Sequence, residues 1–188
     1  MLARLVTSLL ATTAMLVVLG AGGCGPSQPQ AQTHTNPEKG FTITYPGTWH
    51  ESTYGHGADV EIMPIDEDDP NVFRDNVLVR VESLRDPLTA EEYGGIKIAK
   101  GAKIMPDYKE IEKGAGTLGG IEARRLVYSY THGETPVTSI AYFAVSGQHG
   151  YMVLGSAVSN RFEEFKPTLE GIIATFRLTQ APAAPEQK

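Results

Sequence analysis

The 188-residue sequence has a single cysteine and no run of Lys and Arg. Each shortage removes a class of function. One thiol leaves no intramolecular disulfide framework and no Cys-rich metal site. Sixteen Lys and Arg against 22 Asp and Glu give a formal net charge of −6. Without a basic cluster, the counterion release that drives nucleic-acid binding is absent, so no nucleic-acid partner is expected. Also missing are a G-x-S-x-G elbow, an H-E-x-x-H pair and a G-x-x-x-x-G-K-[ST] phosphate loop. No enzymatic activity and no cofactor are therefore expected. The length suits one domain of about 100–150 residues with tails.

What is present begins with an address. Met1 to Arg4 is short and basic, Leu5 to Leu19 is apolar or Ser/Thr, and Gly20 to Gly23 brings small residues up to Cys24. This is the pattern of a secretory signal, expected over residues 1–23. Ala21-Gly22-Gly23-Cys24 resembles the bacterial lipobox, with Ala21 where Leu or Val is usual. The resemblance implies a diacylglyceryl group on the thiol and cleavage that leaves Cys24 first. Acyl chains contribute about 0.8 kcal/mol per buried CH₂, so two or more make a stable anchor. The expected location is outside the cytoplasm, lipid-anchored to the cell membrane or outer membrane, with the bilayer as a partner through acylated Cys24. An uncleaved span and a free thiol are the competing readings.

Residues 24–39 read as the lipidated Cys and a flexible linker, because Gly25 to Glu38 is rich in Gln, Pro, Ser, Thr and Gly. Residues 179–188, with repeated Ala-Pro pairs, read as a disordered tail, leaving one domain over 40–178. Within it, Phe41 to Tyr45, Trp49 to Tyr54, the stretch around Val60 and Ile62, and Asn76 to Glu82 alternate as strands. Thr89 with Glu92 forms a capping box, with Leu88 and Tyr93 as a staple, and predicts a helix. Gly94 and Gly95 cost that helix about 1 kcal/mol each, so docking onto a sheet must stabilise it.

Four more strands follow, at Tyr108 to Lys113, Ile121 to Tyr130, Pro136 to Val145 and Tyr151 to Ser159, as a meander. The last two are apolar on both faces and predict central strands covered on both sides. Phe162, Phe165, Leu169, Ile172, Ile173 and Phe176 recur on one helical face. Asn160 with Glu163 predicts a second N-terminal box, and Pro167 predicts a break or kink. The fold class is α+β, an antiparallel sheet sandwiched between helices.

These elements, in this order, resemble the PsbP/DcrB-like superfamily, which includes small exported bacterial lipoproteins. The resemblance rests on GFTITYPGTW at Gly40 to Trp49, on Asn76-Val77-Leu78-Val79, and on the helix start Leu88 to Tyr93. Gly120-Ile121-Glu122-Ala123, YFAVSGQHGYMVLGSAV at Tyr142 to Val158 and GIIATFRL at Gly171 to Leu178 complete it. It spans the whole domain and implies an α/β/α sandwich of the PsbP-like type. Its motifs mark a fold and no catalytic site. The family includes photosystem II extrinsic proteins and envelope proteins, which implies a binding or assembly role.

Candidate site residues are sparse. His50 with His56 and Glu61, or His132 with Glu134, make partial metal sites without recognised ligand spacing. The meander places His132 and His149 at opposite ends of the sheet, and His34 lies in the linker. Asp66 and Asp68, in the run Asp66 to Asp69, offer hard oxygen ligands without an EF-hand pattern. Solvated surface residues are the simpler reading of all of these, so no metal site is assigned. Trp49, Tyr128, Tyr130 and Tyr142 either line a groove or belong to the sheet core. The expected function is a membrane-tethered, non-enzymatic envelope lipoprotein that binds a protein partner or supports assembly, with small-ligand or metal binding as the alternative. A well-formed apolar cleft with convergent polar groups favours the alternative, and a flat exposed apolar patch favours the partner.

Overall fold

A computed structural model describes residues 29–52, 57–65 and 73–179. The signal and Cys24, His56, Asp66 and Asp68, and the tail beyond residue 179 lie outside the described residues. The elements, in chain order, are β1 (Gln32–Asn36), β2 (Phe41–Tyr45), β3 (Trp49–Glu51), β4 (Val60–Pro64), β5 (Asn76–Ser83) and α1 (Ala90–Ile104). There follow β6 (Lys109–Leu118), β7 (Ile121–His132), β8 (Thr135–Ser146), β9 (His149–Val158), α2 (Phe162–Ile173) and β10 (Arg177–Leu178). Seven strands form an antiparallel sheet in the order β3-β4-β5-β9-β8-β7-β6, and β1-β2-β10 form a small second sheet.

The meander follows from its turns. Gly119, Gly133 and Gly147 each open a two-residue connection with positive φ, at 60°, 60° and 57°. That geometry matches the right-handed strand twist and fixes the register of the hairpins, so that Leu118 faces Ile121, His132 faces Thr135 and Ser146 faces His149. The edge strand β6 is polar and exposed along most of its length, and a bulge between Glu110 and Glu112 leaves Ile111 in solvent. Charge and a bulge both discourage pairing with another chain.

Each face of the large sheet has its own core. Val77, Val79, Val153, Ile140 and Val127 point to the face covered by α2 and the small sheet, where they meet Phe41, Leu169, Ile172 and Phe176. The opposite face carries Leu126, Tyr128, Ala141 and Phe143 beneath Tyr93 and Ile98 of α1. This is the PsbP-like α+β sandwich expected, with a small sheet added to the α2 layer.

Three expectations need correction. The linker reading fails over Gln32–Asn36, which pairs antiparallel with all of β2. The reading rested on the lack of apolar side chains, but an edge strand needs only backbone partners, and Thr33 Oγ1 meets Thr44 Oγ1 at 2.8 Å. The Asn160 box does not form: Arg161 occupies the cap position with no side-chain cap bond. A tight turn replaces it, with Arg161 N donating to Val158 O at 2.9 Å and Glu164 N to Arg161 O at 3.0 Å. Pro167 does not end the helix either, since α2 runs through it. The loss of one backbone bond is offset by four buried apolar side chains, Phe162, Leu169, Ile172 and Ile173.

The Thr89 box does form, with Glu92 N to Thr89 Oγ1 at 3.2 Å and Thr89 N to Glu92 Oε2 at 2.8 Å. Gly94 also finds its reason. A Cβ there would stand 2.7 Å from Arg124 Cδ and 3.3 Å from Phe143 Cβ, so a larger residue would have to displace the Arg124 side chain or lift α1 from β7 and β8.

Candidate functional site

The first turns of α1 are fixed to the sheet by one ring. Tyr93 lies over Gly150 of β9, where a Cβ would stand 2.6 Å from two ring atoms. Further along the helix the fit loosens, and a cleft of about 220 Å³ opens between α1 and the strands. Its floor is Leu126 and Tyr128 of β7, Phe143 of β8, and Met152 and Leu154 of β9. Ile98, Gly101 and Met105 form the helix wall, and Tyr108 closes one side. Met105 and Gly101 in the wall and Met152 in the floor let the cleft adapt to what it holds. The volume exceeds the ~150 Å³ that accommodates benzene and falls below the ~300–1,000 Å³ of sites for drug-sized molecules. A short apolar group fits it.

The polar groups in the cleft are phenols. Tyr108 Oη is buried without a hydrogen-bond partner, and burial, aided by the nearby Glu110 carboxylate, pushes this phenol up to about 12. Burial also raises Tyr128, whose hydroxyl is hydrogen-bonded to Ser139. Both stay protonated through the physiological range and act as hydrogen-bonding groups. Leaving a buried hydroxyl unpaired costs about 1–3 kcal/mol.

Charge gathers at the rim. Arg80, Lys97 and Lys100 face a single carboxylate, Glu82. Lys97 pairs with Glu82, and its ammonium stands 5.4 Å from the Tyr93 ring centre. Arg80 Nε donates to Gly57 O at 2.9 Å. Lys100 is exposed and makes no hydrogen bond or ion pair with the described residues. Ile104, 68% exposed, stands beside it.

From the cleft a polar row crosses the sheet, Tyr128, Ser139, Ser156 and Asn76 being successive cross-strand neighbours. Ser139 Oγ meets Ser156 Oγ at 2.8 Å, and Asn76 Nδ2 donates to Glu61 Oε1 at 3.2 Å. Glu61 Oε2, Asn76 Oδ1 and His50 Nδ1 are buried and have no partner. Register puts His50, Glu61 and Asn76 on one face. Even so, no group of three or more His, Cys, Asp or Glu able to hold a metal occurs among the described residues.

The other histidines are scattered. His34 lies in β1, with Nδ1 3.1 Å from Glu51 Oε2. His132 ends β7 against Phe73 and is followed by Glu134 in the turn, whereas His149 begins β9 beside Tyr151. The His132 and His149 turns sit at opposite ends of the meander, as their spacing implied. Of the four aromatic residues named from sequence, only Tyr128 lines the cleft. Tyr130 shares its face and stacks on Tyr128 at 5.9 Å, while Trp49 and Tyr142 pack with the α2-side core. Lys100, Met105 and Tyr108 carried no sequence signal beyond lying at and just beyond the end of α1.

A second depression, of about 460 Å³, lies between residues 29–31 and α2. Its lining of Thr44, Tyr45, Thr168, Gly171 and Thr175 contains no buried polar atom without a partner. Among the described residues, no helix is long and apolar enough to cross a membrane.

No protein-family model matches the sequence, and no curated protein matches it. Solved structures do match the fold. Cyanobacterial PsbP from Synechocystis sp. PCC 6803 superposes with a TM-score of 0.61 at 16% identity, covering 86% of this chain and 98% of that one. LpqN, involved in cell envelope biogenesis of Mycobacterium tuberculosis, gives 0.61 at 19% identity, over 79% of this chain and 91% of that one. A Pseudomonas aeruginosa protein of unknown function gives 0.52 at 10% identity, over 81% of this chain and 99% of that one. The fold is PsbP-like.

Proposed function

We propose that the protein is a non-enzymatic binding protein of the cell envelope, held at a membrane by lipid on Cys24, and that it binds through the cleft between α1 and the sheet. The observation that carries the reading is an apolar cleft floored by Leu126, Phe143, Met152 and Leu154 and closed on one side by Tyr108, whose hydroxyl is buried without a partner. The lipobox-like Ala21 to Cys24 and the structural likeness to an envelope-biogenesis protein support the location. By the criterion set from sequence, a cleft of this kind gives small-ligand binding precedence over a protein partner. The partner reading keeps one specific support: Ile96 and Ile104 of α1 are 55% and 68% exposed, so a partner side chain could enter beside them.

Gly101→Leu tests the site, because it places a side chain in the cleft while replacing a helix glycine with a good helix former. Protein purified from its host is extracted with organic solvent and the extract analysed by mass spectrometry, alongside in-host crosslinking. An apolar molecule retained by the natural chain and lost from Gly101→Leu supports ligand binding. A crosslinked partner lost in the same variant moves the reading to assembly. If neither changes, the cleft is not the binding site. Intact-mass analysis showing an unmodified Cys24 would remove the anchor from the reading whatever the cleft does.

A further inference from the structure

The chain between Cys24 and the fold is shorter than its composition suggests. Residues 24–39, a linker by composition, number sixteen and would reach about 58 Å at about 3.6 Å each. The structure takes most of them into the domain. Gln32–Asn36 pairs with the whole of β2, from Gln32 opposite Tyr45 to Asn36 opposite Phe41. Just before that strand, Pro29 and Gln30 are seated on Gly47. A Cβ at Gly47 would overlap Gln30 O and stand 2.6 Å from Pro29 C and 2.7 Å from Pro29 Cβ. The φ of Gly47 is not positive, so what glycine provides here is room for the backbone of residues 29–30. Five residues, Cys24 to Gln28, are left to connect the thiol to the domain, a reach of about 18 Å at most. A compact domain of this length measures about 40 Å across. A tether shorter than half the body it holds decides which side of that body faces the support.

We propose that the surface around Pro29, Gly47 and Thr168 faces the supporting bilayer, and that the cleft between α1 and the sheet opens away from it into the aqueous compartment. This rests on lipid at Cys24. The held point lies on the α2 side: residues 29–31 border a depression whose other wall is Thr168, Gly171 and Ile172 of α2. Helix α2 covers the face of the large sheet opposite the cleft. No charged residue lines that depression, in a chain of which 20% is charged, so its lining offers an anionic lipid surface no carboxylate to repel. The reverse posture would lay α1 on the lipid through Ile96, Lys100, Lys103 and Ile104, all exposed. The layers of the fold would then stand between Pro29 and the bilayer, which is more than five residues can span. A ligand of the cleft therefore enters from water, and a partner that reaches α1 approaches from the side away from the membrane.

The test uses the full chain, lipidated in its host and reconstituted into phosphatidylglycerol-containing vesicles that carry a fluorescent acceptor lipid. Acylation leaves no free thiol at Cys24, so a donor dye can be attached at one of two exposed positions, Thr168→Cys on α2 or Lys100→Cys on α1. Energy transfer to the lipid is expected to be about twofold or more stronger from Thr168→Cys, given a domain about 40 Å across. Twenty Gly and Ser residues inserted after Gln28 should erase the difference, since the tether then averages about 25–30 Å and can extend past the domain. Gly47→Ala, which pushes residues 29–30 off their seat, should reduce the difference in part. Equal transfer from the two positions at the natural length, or stronger transfer from Lys100→Cys, would overturn the orientation and leave the anchor standing. A difference that survives the insertion would overturn the tether as its cause. An unmodified Cys24 by intact mass, with protein that does not float with the vesicles, would overturn the anchor and the orientation with it.

Discussion

The two faces of the large sheet are finished to different standards. On the α2 side, two layers of strand and helix bury Phe41, Ile43, Leu169 and Phe176 completely, with a depression only at the margin beside residues 29–31 and one unpaired atom, His34 Nε2. On the α1 side a single helix covers the sheet, and its cover includes a cleft and several unpaired polar atoms: Tyr93 Oη, Tyr108 Oη, Glu61 Oε2 and Asn76 Oδ1. A folding unit can concentrate its stability in one layer and leave the other free to be imperfect. Imperfection is what a binding surface requires, because a polar group already satisfied has nothing to offer a ligand. Strand β9 shows the difference within ten residues. Gly155 receives Leu169 on one face, with a Cβ site 2.9 Å from Leu169 Cβ, and Gly150 receives Tyr93 on the other.

The contrast can be broken at graded cost. Leu169→Ala on the closed face should lower stability by about 3–4 kcal/mol in chemical denaturation, since a fully buried Leu leaves a cavity that rigid neighbours fill poorly. Asp75→Asn should cost about 3 kcal/mol, because this fully buried carboxylate accepts from Val158 N at 3.0 Å and from Arg161 Nη2 at 2.8 Å and so ties β5 to the start of α2. Gly155→Ala and Gly150→Ala should each cost about 1–3 kcal/mol by overpacking. Only the second should also disturb ligand binding, because it displaces Tyr93 and with it the helix that walls the cleft. Equal effects of the two on binding would erase the distinction between the faces.

Smaller changes sharpen the contrast. Thr89→Ala should cost about 1 kcal/mol through loss of the cap. The hydrogen bond from the Thr89 backbone, and secondarily its hydroxyl, holds the Glu92 carboxyl below its ordinary value of 4.5. Glu92 therefore stabilises the fold above that value and loses the effect as pH falls through its lower folded value. Glu92→Ala should flatten the acid limb of a stability-versus-pH curve. Tyr108→Phe is expected to raise stability slightly, by up to about 1 kcal/mol, since it removes a buried hydroxyl without a partner. A clear loss instead would show that Tyr108 Oη is satisfied in solution.

Legibility in the sequence followed periodicity. Val137 to Val158 announced central strands because both faces of each are apolar, and α2 announced itself through Phe162 to Phe176. The small sheet escaped for opposite reasons at its two ends. Gln32–Asn36 has no apolar residue large enough to start a core, and Arg177–Leu178 is too short for any pattern. Pro167 and Asn160 misled because a local preference was outweighed by burial of one helical face. The cleft was legible only in Tyr128. A gap between a helix and a sheet depends on how far the two stand apart, which Gly94 and Gly150 set by admitting close contact at one end. Sequence spacing records the glycines but not the separation that results.

Strand β1 also has a mechanical consequence. It joins β2 as a hairpin whose open end lies at Gln32 opposite Tyr45, so a load applied at residue 31 strains one pair of backbone hydrogen bonds at a time. Peeled from this end, the strand would release five residues, about 17 Å of extended chain at about 3.4 Å each. Beyond it, β2 is locked to α2's end by Thr44 N to Thr175 Oγ1 and Thr175 Oγ1 to Thr44 O, both 2.8 Å. A pull from the N-terminal side would therefore reach β1 and the contacts of residues 29–31 before the layers that hold the cleft.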